Sequence, residues 1–370
     1  MSGSTISFAR GAPSLDIIDV DGLRAAAERA FAEDPGGTTA YGTSVGYVPL
    51  RRWIAERHGV AENEVLVTNG SMQADAFLFD ELVAEGDDVI VERPTYDRTL
   101  LSLRQRGANV HLVELEHDGI DVGALAGLLE GGLEPRLAHI IPNFQNPAGY
   151  TLSQPKRDTL LKLARDHGFV LFEDDPYIEL RFRGERLPTL LEMDRANGGD
   201  GASVVYASSF SKTVCPGIRV GYLVGQAELI GRIAARATGT YIAPNMVAES
   251  IVYQFCKSGA IDRSIETVKT ALAERIELLS AALEREIPEA RFVAPDGGYF
   301  MWVELPEGTD VNELFDAAAA RGVQFVKGTD FLLEGGENTL RLAYSGVTAD
   351  EIDEGVTRLA DALRSLPAPA

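Results

Sequence analysis

Only two cysteines, Cys215 and Cys256, occur in 370 residues. Two thiols cannot build a disulfide framework, and a reduced, cytoplasmic setting fits. The five histidines are scattered, never at ligand spacing from a cysteine or carboxylate, so no dedicated metal site is expected. No apolar run approaches the roughly 18 residues needed to cross a membrane. The opening MSGSTISFARGAPSLD lacks a basic stretch leading into an apolar one, so no secretory leader is expected. Positive charge is in deficit, with 34 Lys and Arg against 56 Asp and Glu and a net charge of −22. That balance excludes nonspecific attachment to a phosphate backbone, and a nucleic-acid partner is not expected. Lysine itself is scarce: Lys156, Lys162, Lys212, Lys257, Lys269 and Lys327 are all there are, so a lysine in an apolar setting stands out.

What is present is ordinary for a globular chain, 45% hydrophobic and 24% charged. The length exceeds what one core usually fills, which predicts a large domain and a smaller one. Seven short apolar, β-branched runs recur at 64–68, 88–92, 110–115, 137–143, 169–175, 203–209 and 220–225. They are near-continuously apolar, as strands covered on both faces are. Helix-period stretches at 73–86, 99–107 and 153–168 lie between them. The alternation predicts an α/β fold with a doubly wound, mainly parallel sheet. The ends differ. A helix at AAAERAF precedes the strands. A long helical stretch follows residue 262, then two strands about a Gly-Gly turn, a helix, two short strands and a last helix. The expected division is 36–262 as the large domain, with 1–35 and 263–370 forming a smaller α+β domain and a covering N-terminal segment. The Pro-Gly at 35–36 and the Gly-Gly pairs at 131–132 and 198–199 are expected to be loops.

Four segments carry chemistry. In SSFSKTVCPGIRVGY (208–222), Lys212 follows a strand between serines, with Arg219 seven residues on. A desolvated lysine has a lowered pKa and is the kind of amine that forms a Schiff base, and serines with an arginine suit a phosphate. A surface lysine in a polar turn is about as common. In FEDDPYIEL (172–180), a strand delivers Asp174 and Tyr177 at its carboxyl end, where doubly wound sheets bind ligands. A carboxylate there can keep a pyridine nitrogen protonated, and a tyrosine can tune a phenolate. An acidic capping loop explains one such pair equally well. In TNGSMQADAF (68–77), a turn at Asn69-Gly70 opens a helix near Ser71, whose free N–H groups suit an anion; simple capping is the commoner explanation. PNFQNPAGY (142–150) is by itself a turn. All four fall at strand carboxyl ends of one sheet, and that coincidence outweighs the separate bland readings.

Together with ISFARGAP, YGTSVGYVPLRRWIA (41–55), ERPTY, DGGYFMW and the late LRLAYS, these segments make nearly the whole chain resemble fold-type I pyridoxal-phosphate enzymes of the aminotransferase class I/II group. The likeness is nearest to the 2-aminoadipate and kynurenine aminotransferase II branch, a module also seen as the C-terminal half of MocR-type regulators. Arg10 already lies in the aminotransferase part, so a regulator is not expected. The resemblance implies a seven-stranded large-domain sheet, pyridoxal 5′-phosphate as cofactor, amino acid and 2-oxo acid substrates, and a homodimer. It implies that Lys212 holds the cofactor and then shuttles the Cα proton, that Asp174 pairs with the pyridine nitrogen, and that Tyr177 and Asn146 bond the phenolic oxygen. Tyr96 would stack on the ring. Ser71 and Met72 through backbone N–H, with Ser209, Ser211 and Arg219, would hold the phosphate, and Tyr41 would reach it from a partner subunit. Arg341 would clamp the substrate α-carboxylate, with Asn146 beside it.

Departures from the family pattern bear on specificity. Met72 stands where a glutamine is usual, Lys327 replaces a frequent proline, and Glu249 lies near a common glutamine. Arg10 replaces a small residue on the loop expected to cover the substrate, where it could meet a distal carboxylate of glutamate or 2-aminoadipate; a solvated arginine is the even alternative. The expected activity is ping-pong transamination. The same fold also serves elimination, replacement, cyclisation or oxidation, and a catalytically silent binding protein is disfavoured by the joint presence of Lys212, Asp174, Tyr177 and Arg341.

Overall fold

A computed structural model describes residues 4–199 and 201–367. Its largest element is an eight-stranded sheet, built from β2 (Val65–Thr68), β3 (Asp88–Arg93), β4 (Asn109–Glu116), β5 (Gly119–Ile120), β6 (Leu137–Ile140), β7 (Val170–Asp174), β8 (Val204–Ser209) and β9 (Gly221–Val224) in the order β2-β9-β8-β7-β6-β3-β4-β5. The seven expected strands are all present. The eighth, β5, is a two-residue return that pairs antiparallel with β4 at the sheet edge, too short to leave a signature in the sequence. Strands β8, β7, β6, β3 and β4 run parallel to one another, whereas β9 is antiparallel to both β2 and β8. Strands β2, β6, β8 and β9 are buried along their whole length, but β4 is only partly covered, because only the short β5 lies beyond it.

Two apolar layers cover the sheet. One gathers Val67, Ile90, Ile140, Leu171 and Tyr206 with helices including Val48–His58 and Gln154–His167. The other gathers Leu66, Val91, Phe172, Ala207 and Leu223 with helices Ser71–Leu82 and Ala227–Tyr241. Strand periodicity accounts for the split, since successive residues face opposite sides. The N-terminal helix Val20–Glu33 packs against Met246–Lys257 and adds Ala26 to the first layer.

A third core unites the chain ends. Ile6, Phe8 and Ile17 meet the long helix Ala260–Glu286, the last helix Ala349–Arg364 and a four-stranded sheet in the order β10 (Arg291–Phe292), β11 (Phe300–Glu304), β14 (Thr339–Ala343), β13 (Val326–Lys327). The strand β1 (Ile6–Ser7) pairs in parallel with β12 (Val323–Gln324) and so ties the first described residues to the last third of the chain. The Gly-Gly turn between β10 and β11 is present, with Gly298 at φ +73°. The Pro-Gly at 35–36 is not a loop: it opens a short helix, Pro35–Thr39. Pro35 supplies the fixed φ of a first helical turn, and the Asp34 carboxylate accepts from Gly37 N at 2.9 Å as its cap.

Candidate active site

The carboxyl ends of β2, β6, β7 and β8 face one cavity of about 490 Å³ between the large sheet and the small one. Ser71, Met72, Tyr96, Asn146, Asp174, Tyr177, Lys212 and Arg341 all line it, together with Phe300, Phe331, Asp97, Arg98, Asp330 and Gly11. Eight residues singled out from five separate sequence segments, plus the late strand, are therefore brought together. Ser209, Ser211 and Arg219 sit just behind. Arg10 and Tyr41 do not join them: Arg10 is exposed outside the cavity, and Tyr41 is 90% exposed.

Lys212 lies three residues beyond the end of β8, part-buried, with Nζ donating to the Gly11 carbonyl at 2.9 Å. Burial, then the nearby cations Arg341 and Arg219, pull its pKa down to about 8, against the opposing pull of Asp174. Its ammonium lies 5.6 Å from the Tyr177 ring and 5.4 Å from the Tyr299 ring, and Tyr299 Oη donates to the Lys212 carbonyl at 2.9 Å, fixing the turn. An amine that sheds its proton near neutral pH is a competent nucleophile and base.

Arg341 is buried on β14, held between the Phe300 and Phe331 rings at 4.2 and 4.8 Å. Nη1 donates to Asn146 Oδ1 at 2.8 Å and Nη2 to the Ala9 carbonyl at 3.0 Å, leaving Nε without a partner. Burial lowers its pKa to about 10, so it stays a cation at neutral pH. A planar, aromatic-sandwiched guanidinium is suited to a bidentate carboxylate. Residues 9–11 thus form a strap whose carbonyls bond Lys212 and Arg341.

Asp174 ends β7 and is buried, with Oδ1 lacking any partner. Oδ2 lies 3.4 Å from Nε2 of the wholly buried His139, on the neighbouring strand β6. On the same side lies Asp75 of the helix Ser71–Leu82, whose carboxyl is held well above its ordinary range by burial and by the Asp174 charge. Tyr177 is pushed up by burial and remains a phenol, and Tyr96, raised to about 12 chiefly by burial, does likewise.

The antiparallel β9 explains how an anion cradle forms. Its first residue, Gly221, pairs with both Thr68 at the end of β2 and Ser209 at the end of β8. A Cβ on Gly221 would overlap Ser71 N, and one on Gly70 (φ +88°) would overlap the Arg219 guanidinium, so both glycines leave space that a side chain would fill. Arg219 Nη1 donates to Ser211 Oγ at 3.1 Å, and Ser211 N donates to Ser209 Oγ at 3.1 Å. The helix Ser71–Leu82 has no side-chain cap, so its first N–H groups and Arg219 converge on one spot.

Pyridoxal phosphate fits these donors. The uncapped helix start, Ser209, Ser211 and Arg219 match its phosphate, the unpartnered Asp174 Oδ1 matches its ring N–H, and Lys212 matches its aldehyde. Asp75, His139, Asp97, Arg98 and Asp330 were not singled out from the sequence. His139 carried a signal, since it stands two residues before Ile141 on a strand and so shares a face with the site. Asp97 and Arg98, which open the helix Asp97–Gln105, and Asp330 carried none, because their place depends on how the two sheets face each other.

The chain matches the family profile of aminotransferase class I and II over residues 5–359. It is 37% identical to a 2-aminoadipate transaminase of Thermus thermophilus over 98% of this chain and 90% of that one. It is 29% identical to aromatic-amino-acid aminotransferase 1 of Thermococcus litoralis, over 98% and 89%. The crystal structure of the Thermus thermophilus α-aminoadipate aminotransferase, complexed with N-(5′-phosphopyridoxyl)-L-leucine, superposes with a TM-score of 0.93 at 36% identity, covering 97% of this chain and 92% of that one.

Proposed function

This chain belongs to the class I and II aminotransferases, pyridoxal-phosphate enzymes of fold type I, and from that premise we propose that it moves the amino group of an acidic L-amino acid, glutamate or 2-aminoadipate, to a 2-oxo acid. One observation carries the reading: Lys212 Nζ and the Arg341 guanidinium share a single cavity with the unpartnered Asp174 Oδ1. A lysine, a carboxylate clamp and a buried acceptor in that arrangement serve transamination, and the two relatives named after amino-group transfer support it.

When bound, the cofactor supplies an electron sink for the pair left on Cα after its proton departs. The chain's residues do the rest. Lys212 would hold the aldehyde carbon and, when free, would carry the Cα proton on Nζ; a pKa near 8 keeps a useful fraction of free amine at neutral pH. Arg341 would bind the α-carboxylate, with Asn146 Oδ1 fixing the guanidinium plane. Asp174 Oδ1 would pair with the ring nitrogen, Tyr177 and Asn146 would bond the phenolic oxygen, and Tyr96 would stack on the ring. Ser71 N, Met72 N, Ser209, Ser211 and Arg219 would hold the phosphate. Within one chain Arg10 lies outside the cavity.

The active unit is a homodimer in this reading. The 90% exposed Tyr41 and the exposed Ile242, Val247 and Met72 are large apolar side chains left open to solvent, and Tyr41 completes the partner's phosphate site. Two free cysteines, one buried, suit the cytoplasm.

The test is the visible spectrum of the protein saturated with pyridoxal phosphate, before and after adding single amino acids. Glutamate or 2-aminoadipate is expected to convert the visible band to the absorption of the pyridoxamine form, releasing one 2-oxo acid per subunit and no ammonia. A band that persists with every amino acid, or ammonia in the product, would overturn the reading. Sedimentation of the same sample reads the dimer.

A further inference from the structure

The cavity holds three cations, Lys212, Arg341 and Arg98. The first two are committed: Lys212 to the reacting carbon and Arg341 to the α-carboxylate. Arg98 is not. It stands in the first turn of the helix Asp97–Gln105, two residues after Tyr96, so its side chain reaches the cavity from the wall that Tyr96 begins. Its one ion-pair partner among the described residues is the adjacent Asp97, through Nε at 3.4 Å. That contact is long, single and offset, and both terminal nitrogens make no hydrogen bond among the described residues. The side chain is 55% exposed toward the cavity mouth, where an isolated ion pair contributes little.

We propose that Arg98 is the specificity-determining residue of this site, reading the distal carboxylate of a dicarboxylic substrate while Arg341 holds the α-carboxylate. The inference rests on the proposed acidic-substrate reading and names the residue that carries it. The remaining groups at that end of the cavity narrow the assignment. Asp97 and Asp330 are anions, Phe331 and Val326 are apolar, and Arg10, the candidate from sequence, lies outside. Arg98 is thus the one cation at the mouth that can take up an incoming carboxylate. A bidentate guanidinium–carboxylate pair is both stronger and more directional than the offset contact with Asp97. Asp97 then acts as a stand-in partner: a neutral substrate side chain leaves the Arg98–Asp97 pair in place, and a distal carboxylate displaces Asp97. The same position therefore admits both the acidic donor and a neutral second substrate, at different affinities.

The experiment uses the cofactor-loaded enzyme and two readouts. The first is the half-saturating concentration for bleaching the visible band by glutamate and 2-aminoadipate against norvaline. The second is equilibrium binding of glutarate against butyrate, which have no amino group and cannot react. Arg98→Gln is expected to lower the acidic-to-neutral preference by about tenfold or more in both readouts, the loss of one charge-assisted pair. Asp97→Asn, which removes the competing partner, is expected to tighten glutarate a few-fold. Arg98→Gln with unchanged glutarate-to-butyrate preference overturns the inference. So does a loss of preference in Arg10→Gln instead, which moves the role to that residue. If the unmodified enzyme is not bleached by either acidic amino acid, the acidic-substrate reading itself fails. The two failures are thereby told apart.

Discussion

Asn146 is the residue on which the geometry of catalysis turns. Its Oδ1 accepts from Arg341 at 2.8 Å and so orients the guanidinium, and in the proposed reading the same side chain also bonds the cofactor's phenolic oxygen. Asn146→Ala leaves the guanidinium with its Ala9 carbonyl contact alone. The expected result is a fall of about 10²-fold in kcat/KM, because a small tilt of the clamp moves Cα–H away from Lys212 Nζ. Steady-state kinetics with glutamate measure it, and Tm is expected to stay within a few degrees. At this scale the sequence was informative where chemistry is local. Lys212, Asp174 and Tyr177 stand next to strand ends in short motifs, and their environment follows from the strand itself. Arg341 could be picked out only through family likeness, since an arginine on a strand is usually a surface charge; the two phenylalanines that bury it, Phe300 and Phe331, come from separate segments, a strand and a turn. Asp97, Arg98 and Asp330 were illegible because their facing partners belong to the other sheet.

Among the elements, β9 does the positioning. In the large sheet it runs antiparallel to both β2 and β8, and the reversal brings Gly221 against the start of the helix Ser71–Leu82. A side chain there would meet backbone atoms, Ser71 N and Gly70 C, that have no freedom to retreat. Gly221→Ala is accordingly expected to cost about 1–3 kcal/mol of stability and to loosen the cofactor. Thermal melting and the fraction of pyridoxal phosphate retained through gel filtration measure the two effects. A variant that keeps both would show that the cradle can relax. The strands themselves were readable from apolar runs because burial on both faces leaves no alternation to confuse. The direction of β9 was not, since a buried strand has the same composition whichever way it runs. The helix Pro35–Thr39 escaped for a related reason: Pro-Gly signals a turn, and only the cap from Asp34 reveals that the turn continues.

For the whole molecule, the buried carboxyls dominate the pH response. Burial raises Glu92 and Glu249 to about 8 and Glu173 to about 7, each above the 4.5 of an unfolded glutamate. Raised carboxyl pKa values mean that the folded state binds more protons than the unfolded one between pH 4.5 and about 8. Stability from these groups therefore falls as pH rises through that window, and levels above it. Glu249 isolates the effect. Its Oε2 accepts from Tyr47 N at 2.6 Å while Oε1 has no partner. Glu249→Gln keeps an acceptor and removes the titration. The Tm advantage of the variant over the parent is expected to grow from pH 5 to pH 8 and then hold constant. An advantage that does not change with pH would mean that this carboxyl does not titrate in the window.

The strap at residues 9–11 has a consequence for assembly during synthesis. Its carbonyls bond Lys212 and Arg341, and the strand just before it pairs with Val323–Gln324. Residue 9 thus waits for a partner 332 residues further along the chain before it can dock. The large sheet, complete by Val224, can form well before. The strap is therefore among the last pieces to be seated, and the substrate pocket closes only when two segments far apart in the chain have met.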